Sequence, residues 1–420
     1  MVFVHSDPVF AVRLVATTVL LLIAVLFVWT LRSRRASVVE QQTGCCSAEP
    51  CFDCESVQAL LAQTQSVRAF GRGFYKQAHV VRVGERAFVV KTPHNDSFAY
   101  VRERWASKND GHVLSDADVA ARVASKFESE CAQMKAWQRL EVPVAPHVHG
   151  GCFRPASAIV SVVEQLRTIA DVTFDASVPL RARVLIAANL MRLVRAWDAL
   201  EPFNHSRADT DVISSIKDYR VVNATALIYG DFDPKQFAID AEWRPRLVDI
   251  DAREWVPYAP SRGNFASDVA CASDSQCHDL IAQFGIDRRL EKGKRPLPHE
   301  FGCDAAAGRC RGLSGKTNAF AACAILIYPL LETFYEYTRA DTARWQSTIN
   351  TILARCTAQE PASRATALET EQAFRLLLGE EPRTPLPPLN LTAALSAAEL
   401  DDRIGDIRKS IKKQRVSVVV

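Results

Sequence analysis

An uncharged, strongly apolar segment near the N-terminus constrains this chain most. It runs from Leu14 to Leu31, close to the roughly 20 residues that a helix needs to cross a bilayer. Arg32, Arg34 and Arg35 follow it, and it has no polar face, so a buried soluble helix is the weaker alternative. No convincing small-residue cleavage site follows it. The sequence therefore predicts an uncleaved single-pass transmembrane anchor, which makes the membrane a partner.

Two signals disagree about the side of the membrane on which the rest of the chain lies. The arginines after the apolar segment favour the cytoplasm by the positive-inside rule. The chain also has 12 cysteines, and acceptor sequences for N-linked glycans begin at Asn95, Asn204, Asn223 and Asn390. Paired cysteines and glycans are typical of oxidising, secretory compartments. We therefore predict that the body of the chain is lumenal.

The composition is that of a globular protein. Of 420 residues, 48% are hydrophobic, which is enough apolar surface for a large core. The 51 basic and 48 acidic residues give a net charge of only +3, spread along the chain. Nucleic acid is bound through concentrated positive charge. The composition therefore predicts no nucleic-acid partner.

Hydrophobic periodicity divides the body into two parts. Residues 66–166 contain short β-rich runs, a helix predicted from Ala117 to Leu140, and a strand from Ser157 to Leu166. Residues 167–385 are mostly helical, with helical patterns at Leu180 to Leu200, Ala319 to Tyr337 and Ala343 to Leu378. The other segments are a tail (1–13), the anchor (14–31), a linker (32–65) and a C-terminal tail (386–420). Linker residues Cys45, Cys46, Cys51 and Cys54 predict disulfides, with a zinc site as the alternative.

Candidate chemistry is concentrated between residues 229 and 251. Asp231 is followed by Pro234 and Gln236, and Asp249 follows after a predicted strand pair. This order is typical of the protein-kinase catalytic core, in which the first aspartate acts on the acceptor hydroxyl while the carboxamide and second aspartate hold metal. Asp231 is therefore the candidate base, and Gln236, Asp249 and Asp251 are candidate ligands for Mg²⁺ or Mn²⁺. The alternative is that these aspartates only lie in surface turns.

Upstream residues favour the catalytic interpretation. Lys91 ends a strand-like segment, where a lysine reaches the ATP phosphates and pairs with a glutamate on the following helix. Glu130 is the candidate partner because it fits the apolar stripe of that helix, and Glu128 is the weaker alternative.

Three further residues are candidates for contact with ATP. Gly71 and Gly73 are the candidate start of a phosphate-covering loop, although two glycines at this spacing also form a plain turn. Glu164 lies late in a predicted strand, where it is a candidate for contact with the adenine or a solvated strand end.

These motifs resemble the divergent protein kinase domain family of the secretory pathway, particularly its first branch. The resemblance rests on the loop from Asp231 to Phe237, on Asp249-Ile-Asp251, and on a cysteine cluster at Cys271, Cys277, Cys303 and Cys310. It implies residence in the endoplasmic reticulum membrane, with the Golgi as the alternative. The implied fold class is α+β: a bilobal protein-kinase-like fold with a small β-rich N-lobe and a mostly helical C-lobe, preceded by a transmembrane helix.

The resemblance also implies an EF-hand-like insertion between Lys108 and Asp118. Ala106, Lys108 and Ala117 stand at the first, third and twelfth ligand positions of that loop, and none of them is a calcium ligand. We therefore predict a degenerate loop. The clustered cysteines are predicted to form disulfides, in any of the three pairings that four cysteines allow.

Several departures from the kinase pattern leave two functions open. Tyr229 stands where a histidine is usual, Asp233 replaces a lysine, Gln236 replaces an asparagine, and Asp251 replaces a glycine. Similar aspartate motifs occur in small-molecule phosphotransferases, which is why Asp251 is kept as a ligand. The chain is predicted to be a lumenal kinase that phosphorylates a protein or glycan hydroxyl, or else a pseudokinase that binds or scaffolds.

Overall fold

The computed structural model describes residues 51–64, 71–72, 76–108, 111–138, 140, 142–153, 158–162, 167–197, 226–250, 255–258, 269–282, 297–337 and 343–379. All structural statements below concern these residues. The predicted anchor at 14–31 lies outside them.

The first part of the fold is a five-stranded antiparallel sheet. Its spatial order is β1-β2-β3-β5-β4. The strands are β1 (Gly71–Arg72), β2 (Lys76–Val83), β3 (Arg86–Pro93), β4 (Val148–Cys152) and β5 (Ala158–Val162). Gly84, with φ of 61°, lies in the tight turn between β2 and β3, where a left-handed backbone favours glycine. Strand β3 lies in the middle of the sheet and is buried from Phe88 to Thr92.

Helices cover the two faces of this sheet. Helix α1 (Cys54–Thr64) packs Val57 and Leu60 against Phe88 and Val90 of β3. Because side chains alternate along a strand, Lys91 points to the opposite face. That face meets α3 (Asp116–Gln138), which follows α2 (Asn95–Lys108).

The rest of the described chain is mainly helical and contains the larger core. A buried apolar helix, α5, provides much of it, and Arg183 on that helix donates to the carbonyls of Thr173, Asp175, Val178 and Leu330. The α-helices here are α4 (Ile169–Thr173), α5 (Leu180–Ala196), α6 (Asp274–Ala282), α7 (Gly315–Ala321), α8 (Tyr328–Tyr337), α9 (Ala343–Cys356) and α10 (Ala367–Gly379). A π-helical turn, Ala322–Ile327, joins α7 to α8.

Three small antiparallel sheets lie among these helices. They are β6-β8-β9, β7-β10 and β11-β12. Their strands are β6 (Arg167–Thr168), β7 (Ala226–Tyr229), β8 (Phe237–Ile239), β9 (Pro245–Leu247), β10 (Trp255–Tyr258), β11 (Cys303–Asp304) and β12 (Arg309–Cys310). Strands β7, β8 and β9 flank the two predicted aspartate motifs, so the motifs lie in the short loops that follow β7 and β9.

Disulfides link segments that are distant in sequence. The pairs are Cys54–Cys152, Cys271–Cys303, Cys277–Cys310 and Cys323–Cys356. The first joins α1 to β4 across 98 residues. The prediction that the cysteine cluster forms disulfides is confirmed, and the pairing is now defined. Cys51 is also disulfide-bonded, as the linker prediction requires, whereas Cys45 and Cys46 lie outside the described residues.

The predicted fold class, an α+β bilobal protein-kinase-like fold preceded by a transmembrane helix, is wrong. The described residues are about 55% helical, and their sheets are small. Within 66–166, the part predicted to be β-rich, α2 and α3 contain more residues than the five strands do. Among the described helices, none has the length and apolar character needed to cross a membrane.

The error has a physical origin in two helices that were not predicted. No helix is predicted at α2, between Lys91 and the EF-hand-like insertion that begins at Lys108, although Phe98, Val101 and Trp105 recur at helical spacing. Helix α1 falls in the predicted linker (32–65), although Val57 and Leu60 are buried against the sheet. Tertiary packing stabilises both helices, and neither has a long apolar stripe of its own.

Candidate functional site

The predicted lysine and glutamate form a buried ion pair. Lys91 Nζ lies 3.0 Å from Glu130 Oε1, and their side chains are 8% and 4% exposed. Glu130 belongs to the buried stripe of α3 with Phe127 and Met134, whereas Glu128 is exposed. The helical periodicity of α3 therefore brings Glu130, and not Glu128, to the sheet.

A second lysine joins this pair. Lys76, the first residue of β2, contacts Glu130 Oε2 and also lies 2.5 Å from Asp249 Oδ1. Asp249 is 31% exposed and Lys76 15% exposed, so this side of the network opens toward solvent. Lys76, Lys91, Glu130 and Asp249, called the open network below, contain two ammonium groups and two carboxylates whose charges balance.

Backbone hydrogen bonds connect the open network to the first aspartate motif. Lys91 Nζ donates to the carbonyl of Val248, and the Val248 amide donates to the carbonyl of Gln236 at 2.8 Å. Gln236 Nε2 in turn donates to Asp231 Oδ2 at 3.1 Å. Residues separated by up to 173 positions in the sequence thus meet at one site.

The loop that contains Asp231 packs on a cluster of buried aromatic rings. Tyr229, Phe232, Phe237 and Trp197 are fully buried and pack in a cluster, with Tyr229 and Phe232 ring centroids 5.3 Å apart. Asp231 is only partly buried. Because its neighbours on both sides are anchored in the core, the carboxylate of Asp231 is positioned at the surface of that core. Tyr229, which stands where a histidine was expected, therefore packs the loop.

A buried amide and a short turn complete the support of this loop. The Tyr229 amide donates to Asn318 Oδ1 of α7 at 3.0 Å. Asp233 accepts from the Lys235 amide at 2.9 Å and begins the 3₁₀ turn Pro234–Gln236. This turn directs Gln236 back toward Asp231.

Of the four remaining predicted site residues, the structure describes only Gly71. Gly71 pairs with Ala78 in the ladder between β1 and β2. Gly73, Glu164 and Asp251 lie outside the described residues.

Sequence reasoning missed Lys76. The available signal was the strand register: Ala78 lies opposite Lys91, so Lys76, two positions away, points to the same face of the sheet. The register itself depends on the β2–β3 turn and is not visible from a single strand. Asn318 and Trp197, which hold the loop after β7, were missed because their contacts are long-range.

The donor groups at the open end of the network fit a hard divalent cation. Mg²⁺ and Mn²⁺ prefer carboxylate and carbonyl oxygens. Asp249 is a partly exposed carboxylate that already holds the Lys76 ammonium, which shows that a cation is accommodated there. Gln236 accepts a backbone hydrogen bond from Val248, the residue before Asp249, and its carboxamide donates to Asp231 through Nε2, so the side-chain oxygen is the potential ligand. Asp249 and Gln236 are therefore suitable residues for a metal site.

A second cluster of potential metal ligands is structural. The sulfurs of Cys271, Cys277 and Cys303 lie within 4.8 Å of one another. These sulfurs are already bonded in the disulfides Cys271–Cys303 and Cys277–Cys310, so they are not thiolate ligands. The close approach of these sulfurs therefore follows from two neighbouring disulfides.

The predicted EF-hand-like segment connects α2 and α3. Ser115 caps α3 by accepting from the Asp118 amide at 3.2 Å, and its hydroxyl donates to Asp118 Oδ2. Arg102 of α2 contacts Asp116. These contacts give the two acidic residues roles in the helix start and in the joining of α2 to α3.

Comparisons with known proteins find no family model that matches the chain and no curated protein with significant similarity to it. Function is therefore inferred from the geometry of the site.

Proposed function

We propose that this chain is an ATP-dependent phosphotransferase that moves the γ-phosphoryl group to a hydroxyl of a protein or glycan. The observation that carries the proposal is the convergence of Lys91, Glu130, Asp249, Gln236 and Asp231 through one set of contacts. A scaffold does not require this combination of ammonium, carboxylates and carboxamide at one partly open site. The resemblance to the divergent protein kinase domain family stays a prediction that agrees with this proposal.

In this proposal, Lys91 binds the phosphates of ATP and Glu130 orients its ammonium. The ion pair is buried, so the lysine is held in an extended, ready position and loses little side-chain entropy when ATP binds. Asp249 and Gln236 hold Mg²⁺ or Mn²⁺, which supplies positive charge to the triphosphate. Asp251 remains a proposed additional ligand.

Asp231 acts on the acceptor. The acceptor oxygen attacks the γ-phosphorus, the bond from that phosphorus to the bridging oxygen breaks, and ADP leaves. The proton of the acceptor hydroxyl passes to Asp231. The hydrogen bond from Gln236 fixes the direction of the Asp231 carboxylate, and this bond is why a carboxamide at position 236 suits the reaction.

One observation favours a binding protein as the second candidate. Lys76 pairs with Asp249, so a lysine of the chain itself balances the charge of this carboxylate. A protein that binds nucleotide or a partner without catalysis has no need to release that contact.

The formation of ADP separates the two candidates. The full chain is incubated with ATP and Mn²⁺, and ADP is followed by ³¹P NMR, with water as the acceptor in the absence of an identified hydroxyl. We expect slow ADP formation by the wild type and none by Asp231→Asn. ATP binding without ADP formation in the wild type would favour the binding protein.

We also propose that the body works in the lumen of the endoplasmic reticulum. The disulfides support an oxidising compartment. An endoglycosidase applied to protein from cells should increase its mobility on a gel. Unchanged mobility would mean that none of the acceptor asparagines carries a glycan, which would argue against a lumenal body.

A further inference from the structure

We infer that Lys76 competes with the divalent cation for Asp249 and transfers to the nucleotide phosphates when metal and nucleotide bind. This inference rests on the function proposed above. It assigns a specificity-determining role to a residue that the phosphotransfer motifs do not include.

The position of Lys76 follows from the sheet. Ala78 of β2 lies directly opposite Lys91 of β3, and Lys76 lies two residues before Ala78. Residues two apart share a face of the sheet, so the two lysines are diagonal neighbours on the face that meets α3. Glu130 lies beneath both of them and contacts each through a different carboxylate oxygen.

The two lysines differ in how firmly they are held. Lys91 is 8% exposed and is bonded to Glu130, which lies in α3, and to the carbonyl of Val248, whose amide donates to the Gln236 carbonyl. Lys76 is 15% exposed, and one of its partners, Asp249, is 31% exposed. A lysine side chain is long and flexible, so Lys76 can change partners without movement of β2. Lys76 is therefore the exchangeable cation of the network.

Charge balance requires the exchange. The Lys76 ammonium lies 2.5 Å from Asp249 Oδ1, and the same carboxylate is the candidate metal ligand. A divalent cation on Asp249 repels an ammonium at that distance, so the two cannot share the carboxylate closely. A bound triphosphate supplies new negative charge next to the network, to which the released ammonium transfers. The Lys76 ammonium therefore weakens the binding of metal alone and strengthens the binding of nucleotide.

This exchange predicts that one substitution changes the affinities for Mn²⁺ and for ATP in opposite directions. Removal of the ammonium in Lys76→Met should tighten the binding of Mn²⁺ alone by about five- to tenfold, because a partly exposed ion pair no longer has to be broken. The same variant should bind ATP without metal about tenfold more weakly, because one charge-assisted contact is lost. General damage to the site would weaken both.

The test uses the full chain and two separate titrations. Mn²⁺ binding is measured without nucleotide by the EPR signal of free Mn²⁺, and ATP binding is measured by calorimetry in a metal chelator. Lys76→Arg keeps the charge and should stay close to the wild type in both. Arg82→Met removes a charge from an exposed position on the same strand and should change neither.

The outcomes are distinguishable from failure of the proposed function. Equal Mn²⁺ affinity in the wild type and Lys76→Met, including no measurable binding in either, would overturn the inference. Loss of both Mn²⁺ and ATP binding would also overturn it, because Lys76 would then only hold the site together. Tighter Mn²⁺ binding in Lys76→Met together with no ADP formation by the wild type would uphold the competition and refute the reaction.

Discussion

Two ion-pair systems in this protein have different surroundings. The open network joins the sheet and α3 to the loop after β9, and Asp249 is 31% exposed. The second system is the pair Glu300–Arg364 among the helices, with side chains 3% and 0% exposed. The first system has a solvent-facing side at which partners can be exchanged, whereas the second is enclosed.

The enclosed pair is satisfied on every side. Arg364 contacts both carboxylate oxygens of Glu300 and donates to the carbonyls of Ala358, Gln359 and Lys316. Thr317 also donates to Glu300 at 3.0 Å. A planar guanidinium suits such a multiply bonded position. The comparison predicts that the enclosed pair stabilises the helical part, whereas the proposed function assigns binding to the open network.

The largest expected effect is the loss of stability caused by a substitution in the enclosed pair. Arg364→Met leaves the Glu300 carboxylate buried without its charge partner, which typically costs about 3–5 kcal/mol of unfolding free energy. Urea unfolding followed by tryptophan fluorescence measures it. A loss below about 1 kcal/mol would contradict the structural role of the pair.

An intermediate effect is expected for Lys91→Met in the open network. Loss of a charge-assisted contact to phosphate is worth about 1.5–3 kcal/mol, so ATP affinity should fall roughly ten- to hundredfold. The unfolding free energy should fall less than in Arg364→Met, because Lys76 still pairs with Glu130. Calorimetry with ATP and Mn²⁺ and urea unfolding measure the two quantities. Unchanged ATP affinity together with a large loss of stability would show that the Lys91–Glu130 pair is also structural.

The smallest effect is expected for a pair whose arginine is exposed. Arg375 lies 2.8 Å from Glu371 and its side chain is 40% exposed, and the buried Glu371 carboxylate also contacts Arg195. Ion pairs with a solvent-exposed partner contribute about 0–1 kcal/mol, and Glu371 keeps Arg195, so Arg375→Met should change the unfolding free energy by no more than that. This variant is the matched control for Arg364→Met, since both remove an arginine from a carboxylate in the helical part. A loss as large as that of Arg364→Met would show that burial does not distinguish the pairs.

Local patterns in the sequence predicted the elements around the site. The helix predicted from Ala117 to Leu140 is observed as Asp116–Gln138, because its apolar stripe packs against the rest of the core. The same stripe distinguished Glu130 from Glu128. The strands on either side of the aspartate motifs were also expected, since short apolar runs between turn residues favour strands.

Long-range contacts could not be predicted from the sequence. Lys76 reaches Asp249 across 173 positions, and Glu300 reaches Arg364 across 64, and no local pattern joins either pair. The pairing of the four clustered cysteines could not be chosen from the sequence for the same reason. The fold class was wrong because α1 is stabilised by the sheet it covers and α2 by its contacts with α3, and short helices of this kind carry a weak periodic signal.

The most direct test of the central claim is ATP binding with Mn²⁺ by three full-length proteins: the wild type, Asp249→Asn and Asp231→Asn. In the proposed function, Asp249 holds the cation that neutralises the triphosphate, whereas Asp231 contacts only the acceptor hydroxyl. We predict that Asp249→Asn abolishes the metal-dependent part of ATP binding in calorimetric titration and that Asp231→Asn leaves it nearly intact. Equal losses in the two variants, or unchanged binding in both, would contradict the assignment of the open network as the nucleotide site.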